Sequence, residues 1–194
     1  MARTRAFDEA AALDRAMNLF WKRGYHATSM QELVDDMGVN RASLYATFGN
    51  KRELFDLALA RYRDENRAGL RAFLAEQTDV RRGIRAMFSR GIEESIADVD
   101  NKGCFMVNAT TELASGDDEL TALLCSNQIA FEQILYDFML AGRERGELTD
   151  RPDLRVLAGL FYTLYNGIKV LAKIEGDRAS LLASVDAALE LLDN

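Results

Sequence analysis

The chain has 194 residues, with 24 Lys and Arg, 31 Asp and Glu, two Cys, one Pro and a single His. This length fits one sizeable domain or a small one joined to a larger one. A lone histidine leaves no room for a Ser-His-acid or Cys-His relay or for a zinc cluster, so neither an enzyme nor a metal or other cofactor is expected. Met1 to Arg52 holds eight basic and six acidic residues and is mildly basic, so the remainder carries the whole acidic excess behind the net charge of −7, and an acidic body leaves the N-terminal segment as the favourable approach for DNA.

No alternating apolar–polar run stands out, and the periodicity predicts an all-α protein. Arg3 and Arg5 precede the first helix in a terminus that is either disordered or a basic arm lying on DNA. Phe7 to Arg23 is an amphipathic helix with Leu13, Ala16, Met17 and Phe20 as its stripe, and Phe20 and Trp21 read as core. His26 lies in the connection that follows and reads as structural or exposed.

Thr28 to Lys51 then reads as a helix, a tight turn and a second helix. Met30, Leu33, Val34 and Met37 recur at three- and four-residue intervals, so they share one face. Thr28 is placed to cap this helix, with Gln31 completing a capping box. Gly38 stops it, Asn40 caps the next, and Gly49 ends that one. Leu44 and Phe48 give the second helix a narrow apolar side.

Its outer face carries Arg41, Ala42, Ser43, Tyr45 and Thr47. A helix-turn-helix sets the start of its second helix against base edges, where Arg can bond guanine bidentately and Ser several bases. Ala42 permits close approach, and Tyr45 and Lys51 would reach phosphates. Thr28, Ser29 and Asn40 complete the DNA-facing set. The pattern alone equally fits a helical hairpin in an ordinary bundle.

The stretch GYHATSMQELVDDMGVNRASLYATFGNKRELF, Gly24 to Phe55, resembles the DNA-binding domain of the TetR family of transcriptional regulators. The Gly38-Val39-Asn40 turn, the Leu44-Tyr45 pair, Phe48, and Lys51 with Glu53 and Leu54 stand in the family's order and spacing. Ala46 and Thr47 depart from it, since an aromatic and a histidine often stand there. The resemblance implies a helix-turn-helix domain over residues 1–50 and a helical effector-binding and dimerisation domain over 51–194. It implies a homodimeric repressor on palindromic double-stranded operator DNA, released by a small-molecule or reactive effector.

Lys51 to about Ala75 reads as one long helix. Leu54, Leu57, Ala58 and Tyr62 are expected to face the DNA-binding domain, and Leu70, Phe73 and Leu74 a second core. In the family this helix links the two domains. Val80 to Ile96 is a further helix with Ile84, Met87, Phe88 and Ile92 as its stripe. A polar loop, Asp98 to Gly103, opens into a short helix ending near Ala114.

Leu120 to Glu144 spreads its large apolar residues, Ile129 and Phe131 among them, beyond one stripe, so more than one face is expected to be buried. The last two helices run from about Leu154 to Ile174 and from about Ala179 to Leu192. The stripe of the final helix, Leu182, Val185, Leu189 and Leu192, either closes the monomer core or meets a partner. The family resemblance favours a homodimer contact built by these two helices from each subunit.

Met87, Phe88, Phe105, Phe131, Phe161 and Tyr165 are candidate walls of an apolar effector pocket, each of them equally readable as core. Cys104 follows Lys102-Gly103 at a helix start, a place that favours the thiolate form. The run GCFMVN resembles a stretch in the branch of TetR-type regulators that sense electrophiles and oxidants through a cysteine, the branch of the N-ethylmaleimide-responsive repressor. Lys169 or Lys173 is expected to face this thiol. Cys104 reads equally well as a small buried hydrophobe, and Cys125 as packing. No signal peptide or membrane span is expected, and two cysteines without framework spacing fit a reducing cytoplasm.

Overall fold

The computed structural model describes residues 7–174 and 176–193, so the Arg3 and Arg5 arm lies outside the described residues. Among them are nine α-helices and no strand: α1 Glu9–Arg23, α2 Met30–Met37, α3 Arg41–Phe48, α4 Lys51–Ala75, α5 Val80–Ala97, α6 Phe105–Leu113, α7 Asp118–Glu144, α8 Leu154–Leu171 and α9 Arg178–Leu189. A 3-10 turn over Glu190–Leu192 follows α9. No helix among the described residues is long and apolar enough to cross a membrane.

The N-terminal helices start and stop where local chemistry tells them to. Asp8 accepts the Ala10 and Ala11 N–H groups to open α1. Asn50 and Glu53 form a reciprocal capping box at the start of α4. The box on α2 sits one residue later than the sequence suggested. Ser29 caps the helix and Glu32 accepts its N–H at 2.8 Å, while Thr28 is buried and donates its hydroxyl to the Gly24 carbonyl at 2.7 Å. Thr28 therefore closes the α1–α2 turn and has no side chain left for the cap. Gly38, at φ 67 and ψ 31, takes the left-handed conformation that ends α2.

Two cores divide the molecule. The first gathers α1, α2, α3 and the first half of α4 around Phe20, Leu33, Leu44 and Phe55, and draws in Phe105, Met106 and Ala109 of α6 and Leu120 of α7. The second joins the end of α4 to α5, α7, α8 and α9 around Phe88, Leu135, Phe161 and Val185. Inside the first core, aromatic rings form the seam between the N-terminal helices and α6: Phe55 stands edge-on to Phe105 at 5.6 Å, Tyr62 to Phe105 at 5.7 Å and Trp21 to Tyr62 at 4.9 Å. The exposed Lys22–Asp100 pair also crosses it at 2.6 Å. Such a pair contributes at most ~1 kcal/mol, whereas one fully buried Phe contributes ~1.5–3 kcal/mol. Apolar packing therefore carries the join.

Three expectations are corrected here. Leu57, read as facing the DNA-binding domain, is 45% exposed, because Leu54, Phe55, Ala58 and Leu59 already fill the inner face of α4. Ile129 of α7 is 67% exposed and lies outside the core. The apolar stripe of the last helix, given to a partner by the resemblance, closes the monomer's own core: Leu182, Val185, Leu189 and Leu192 are all buried. A helix this rich in Leu buries its stripe against α5, leaving Ala183, Ser184 and Ala187 on its exposed flank.

Candidate DNA interface and effector cavity

The outer face of α3 is laid out as its sequence implies. Leu44 and Phe48 anchor it to the first core, and Arg41, Ala42, Tyr45 and Thr47 are exposed on the far side with Ser43 half-buried. The Arg41 guanidinium lies 5.8 Å from the centre of the Tyr45 ring, one turn along. Asn40 holds the first turn by accepting the Ser43 N–H at 2.8 Å. Ser29 is exposed but committed to its capping box, and Lys51 sits 4.4 Å over the Tyr25 ring at the foot of α4. Thr28, expected in the DNA-facing set, is not at the surface, for the reason given above.

A cavity of about 550 Å³ lies between α4, α5, α7 and α8, with the loop before α6 at one end. Of the expected walls, Met87, Phe131 and Tyr165 line it. Phe88, Phe105 and Phe161 do not. They are at most 1% exposed and fill the cores behind, because each points inward from its helix. Two glycines make room in α5. A Cβ on Gly91 would stand 2.9 Å from Tyr165 Cε2, and one on Gly83 2.7 Å from Phe138 Cζ.

Cys104 is in the wall. It occupies the N-cap position of α6 without a side-chain capping bond, and the Tyr62 hydroxyl donates to its Sγ at 3.7 Å. Burial first, then the thiol, pushes the Tyr62 phenol well above its ordinary value, so it stays protonated and remains a donor. Burial likewise raises the Tyr165 phenol, with Cys104 adding to it.

Lys169, not Lys173, shares the cavity. Its ammonium donates to the Gly91 carbonyl at 2.9 Å and Ser95 Oγ at 3.1 Å, and burial holds it below its usual value. Lys173 lies outside, with its stem across Gly103, where a Cβ would meet its Cδ at 2.7 Å. Cys125 is exposed rather than packed.

Sequence reasoning took Trp21 as core and overlooked Asn66 and Arg67 as cavity residues. Tyr62, Asn66, Leu70 and Phe73 follow one another at three- and four-residue intervals, so one face of α4 was visible as a second lining surface. Trp21 carried no such signal: it reaches the cavity from α1 because its Nε1 donates to the Gly103 carbonyl at 3.1 Å.

The interface and the cavity are joined through α6. Cys104 stands at its start, and Glu112 near its end accepts the Tyr25 N–H at 2.9 Å and the His26 N–H at 2.7 Å, in the turn that leads into α2. Arg52 of α4 forms an ion pair with Asp117 at the cap of α7 and pulls that carboxyl below its usual range. No group of His, Cys, Asp and Glu that could hold a metal ion occurs among the described residues.

A helix-turn-helix with an exposed second helix, packed on a larger helical domain with a cavity, defines a one-component DNA-binding regulator in form. The chain belongs to the tetR family of bacterial regulatory proteins: the family's N-terminal model matches residues 12–58, and the tetracyclin repressor-like C-terminal domain matches residues 80–188. It is 31% identical to the uncharacterised HTH-type transcriptional regulator YezE of Bacillus subtilis over 100% of both chains. It is 33% identical to the HTH-type transcriptional repressor ComR of Escherichia coli over 97% of this chain and 90% of that one. A cysteine mutant of the TetR family regulator CifR, complexed with 26-bp double-strand operator DNA, superposes with a TM-score of 0.83 at 33% identity, covering 97% of this chain and 98% of that one. Its homologues are DNA-binding regulators, not enzymes.

Proposed function

We propose that this chain is a homodimeric repressor that releases operator DNA when an electrophile enters the cavity and alkylates Cys104. The observation that carries the reading is the position of Cys104. One thiol lies in the cavity wall, touches Tyr62 of α4, and begins the helix whose other end holds the helix-turn-helix through Glu112. Support for the DNA half comes from α3 and from the operator-bound CifR mutant and the repressor ComR.

With an α,β-unsaturated carbonyl compound the step balances without a co-reactant. The Cys104 thiolate adds to the β-carbon and a C–S bond forms. The π pair passes to the α-carbon, which takes from water a proton replacing the one the thiol gave up to it, so no group leaves. The adduct crowds the seam between Tyr62 and Phe105, so it disfavours the arrangement of α4 and α6 that sets the reading heads, a shift of population between two states.

The dimer surface is the outer face of α8. Val156, Leu160, Thr163, Gly167 and Val170 are exposed there at three- and four-residue spacing, and the small flank of α9, Ala183 and Ala187, is exposed as well. Two such faces pair about a two-fold axis, which suits a palindromic site.

The test compares wild type with Cys104→Ser for release of the chain's own promoter DNA on treatment with N-ethylmaleimide. Release in wild type alone supports the reading. Equal release in both would place the reacting thiol at the exposed Cys125, and release in neither moves induction to a ligand held reversibly in the same cavity.

A further inference from the structure

We infer that the cavity takes an anionic amphiphile, a carboxylate or sulfonate on an aromatic or aliphatic body, whose charged end docks on Arg67. The inference rests on the cavity being the effector site and adds the class of molecule that fits it.

Charge in the lining runs against that of the whole chain. The protein carries a net −7, yet five cationic residues and three carboxylates line this cavity. All three carboxylates are engaged within the protein. Glu65 pairs with Arg61 at 3.1 Å, Glu94 with Arg90 at 2.8 Å, and Asp98 accepts the N–H groups of Asp100 and Lys102 at 3.2 and 2.7 Å. Four of the cations are also engaged: Arg63 with Asp64, Arg90 with Glu94, Lys102 over the Trp21 ring, and Lys169 on Gly91 and Ser95.

Arg67 differs. Its Nε is buried without a hydrogen-bond partner, its nearest carboxylate oxygen, on Asp64, is 3.9 Å away, and its one hydrogen bond is a long 3.4 Å reach to the Ser126 carbonyl. Burial first, then the like charge of Arg63, holds it below its usual value, and the distant Asp64 carboxylate offsets this only in part. The reach to Ser126 sets it against the α7 wall beside the buried Asn127, which also lines the cavity. Farther along, Phe131, Met87 and Tyr165 offer an apolar bed. A guanidinium at one end and an aromatic bed beyond it match a planar anion with an apolar body.

The experiment uses two dyes of nearly the same aromatic body: 1-anilinonaphthalene-8-sulfonate, which is anionic, and N-phenyl-1-naphthylamine, which is neutral. Their affinities are read by fluorescence on the full chain and on Arg67→Met. Their presence in the cavity is read as slowed alkylation of Cys104 by N-ethylmaleimide in a Cys125→Ser background. The expected result is that the anionic dye binds more tightly, protects Cys104, and loses about tenfold or more in affinity in Arg67→Met, the scale of a lost charge-assisted bond. The neutral dye is unchanged by that substitution. Equal losses for both dyes, no loss for either, or binding of the anionic dye without protection of Cys104 would overturn the inference. The effector reading itself stands or falls separately, on DNA release by the electrophile.

Discussion

The Glu112 carboxylate on α6 accepts the backbone N–H of His26 at 2.7 Å, and its other oxygen takes the N–H of Tyr25. One side chain of the effector-side helix thus holds the turn that orients the helix-turn-helix. Gly24 makes the approach possible: its φ is +85, and a Cβ there would stand 2.7 Å from Glu112 Oε2. Glu112→Gln keeps the shape but leaves one neutral acceptor for the two N–H groups and sets its own NH2 donor against the other. It is expected to lower stability by about 1.5–3 kcal/mol, the scale of hydrogen bonds to a charged group, read from urea midpoints. It should also weaken coupling, so that the N-ethylmaleimide concentration that half-releases operator DNA rises. Wild-type stability and release in this variant would remove Glu112 from the pathway.

Acid should loosen the start of α2 through Glu32. Its carboxyl is held below the ordinary 4.5 first by the Ser29 N–H, then by the Ser29 hydroxyl and Arg23. A carboxyl lowered in the folded state contributes stability that is present above its unfolded value and lost as pH falls through the folded one. The advantage of wild type over Glu32→Gln in urea midpoint is therefore expected at pH 7 and should vanish as the pH is taken below about 4.5. An advantage that persists at low pH would mean that the carboxylate's charge is not what supports the cap.

The helix-turn-helix was legible in the sequence because its signals are local: a stop glycine, capping residues and an apolar stripe within a few turns. The error there was one residue, Thr28 for Ser29, and arose because a buried hydroxyl bonded to Gly24 looks in sequence like a cap. The cavity was half legible. Phe88, Phe105 and Phe161 fill cores while Phe131 and Tyr165 line space, and composition does not separate the two. That sorting depends on which way α5, α6 and α8 rotate about their axes, which is set by tertiary packing. Arg67 and Glu112 were illegible because their partners lie 59 and up to 87 residues away.

The proposed pairing of α8 faces can be tested without touching the monomer core. Leu160 and Val170 are 37% and 46% exposed, whereas Phe161 and Ile168 on the opposite side are buried. Leu160→Asp places a charge where two copies would meet, and leaving it buried and unpaired in a dimer costs several kcal/mol. Sedimentation is expected to show a monomer with unchanged helix content, and operator affinity should fall sharply as the two half-sites are no longer read together. A dimer of wild-type stability in this variant would place the interface elsewhere.

The residues proposed to meet DNA are expected to divide by chemistry into those that read and those that hold. Arg41 begins the helix and carries the bidentate donor, so Arg41→Ala should cost about 1–3 kcal/mol on the operator and narrow the gap to unrelated sequences. Tyr45, one turn along α3, and Lys51, at the start of α4, are expected to reach phosphates, so their loss should weaken binding to all sequences alike. Lys51→Ala should also lower the slope of log affinity against log salt by about one. That variant forfeits the contact with the Tyr25 ring at 4.4 Å as well. Lys51→Arg, which restores both charge and stacking, should return affinity and slope together. Recovery of stability without recovery of the salt slope would show that Lys51 only packs on Tyr25 and touches no phosphate.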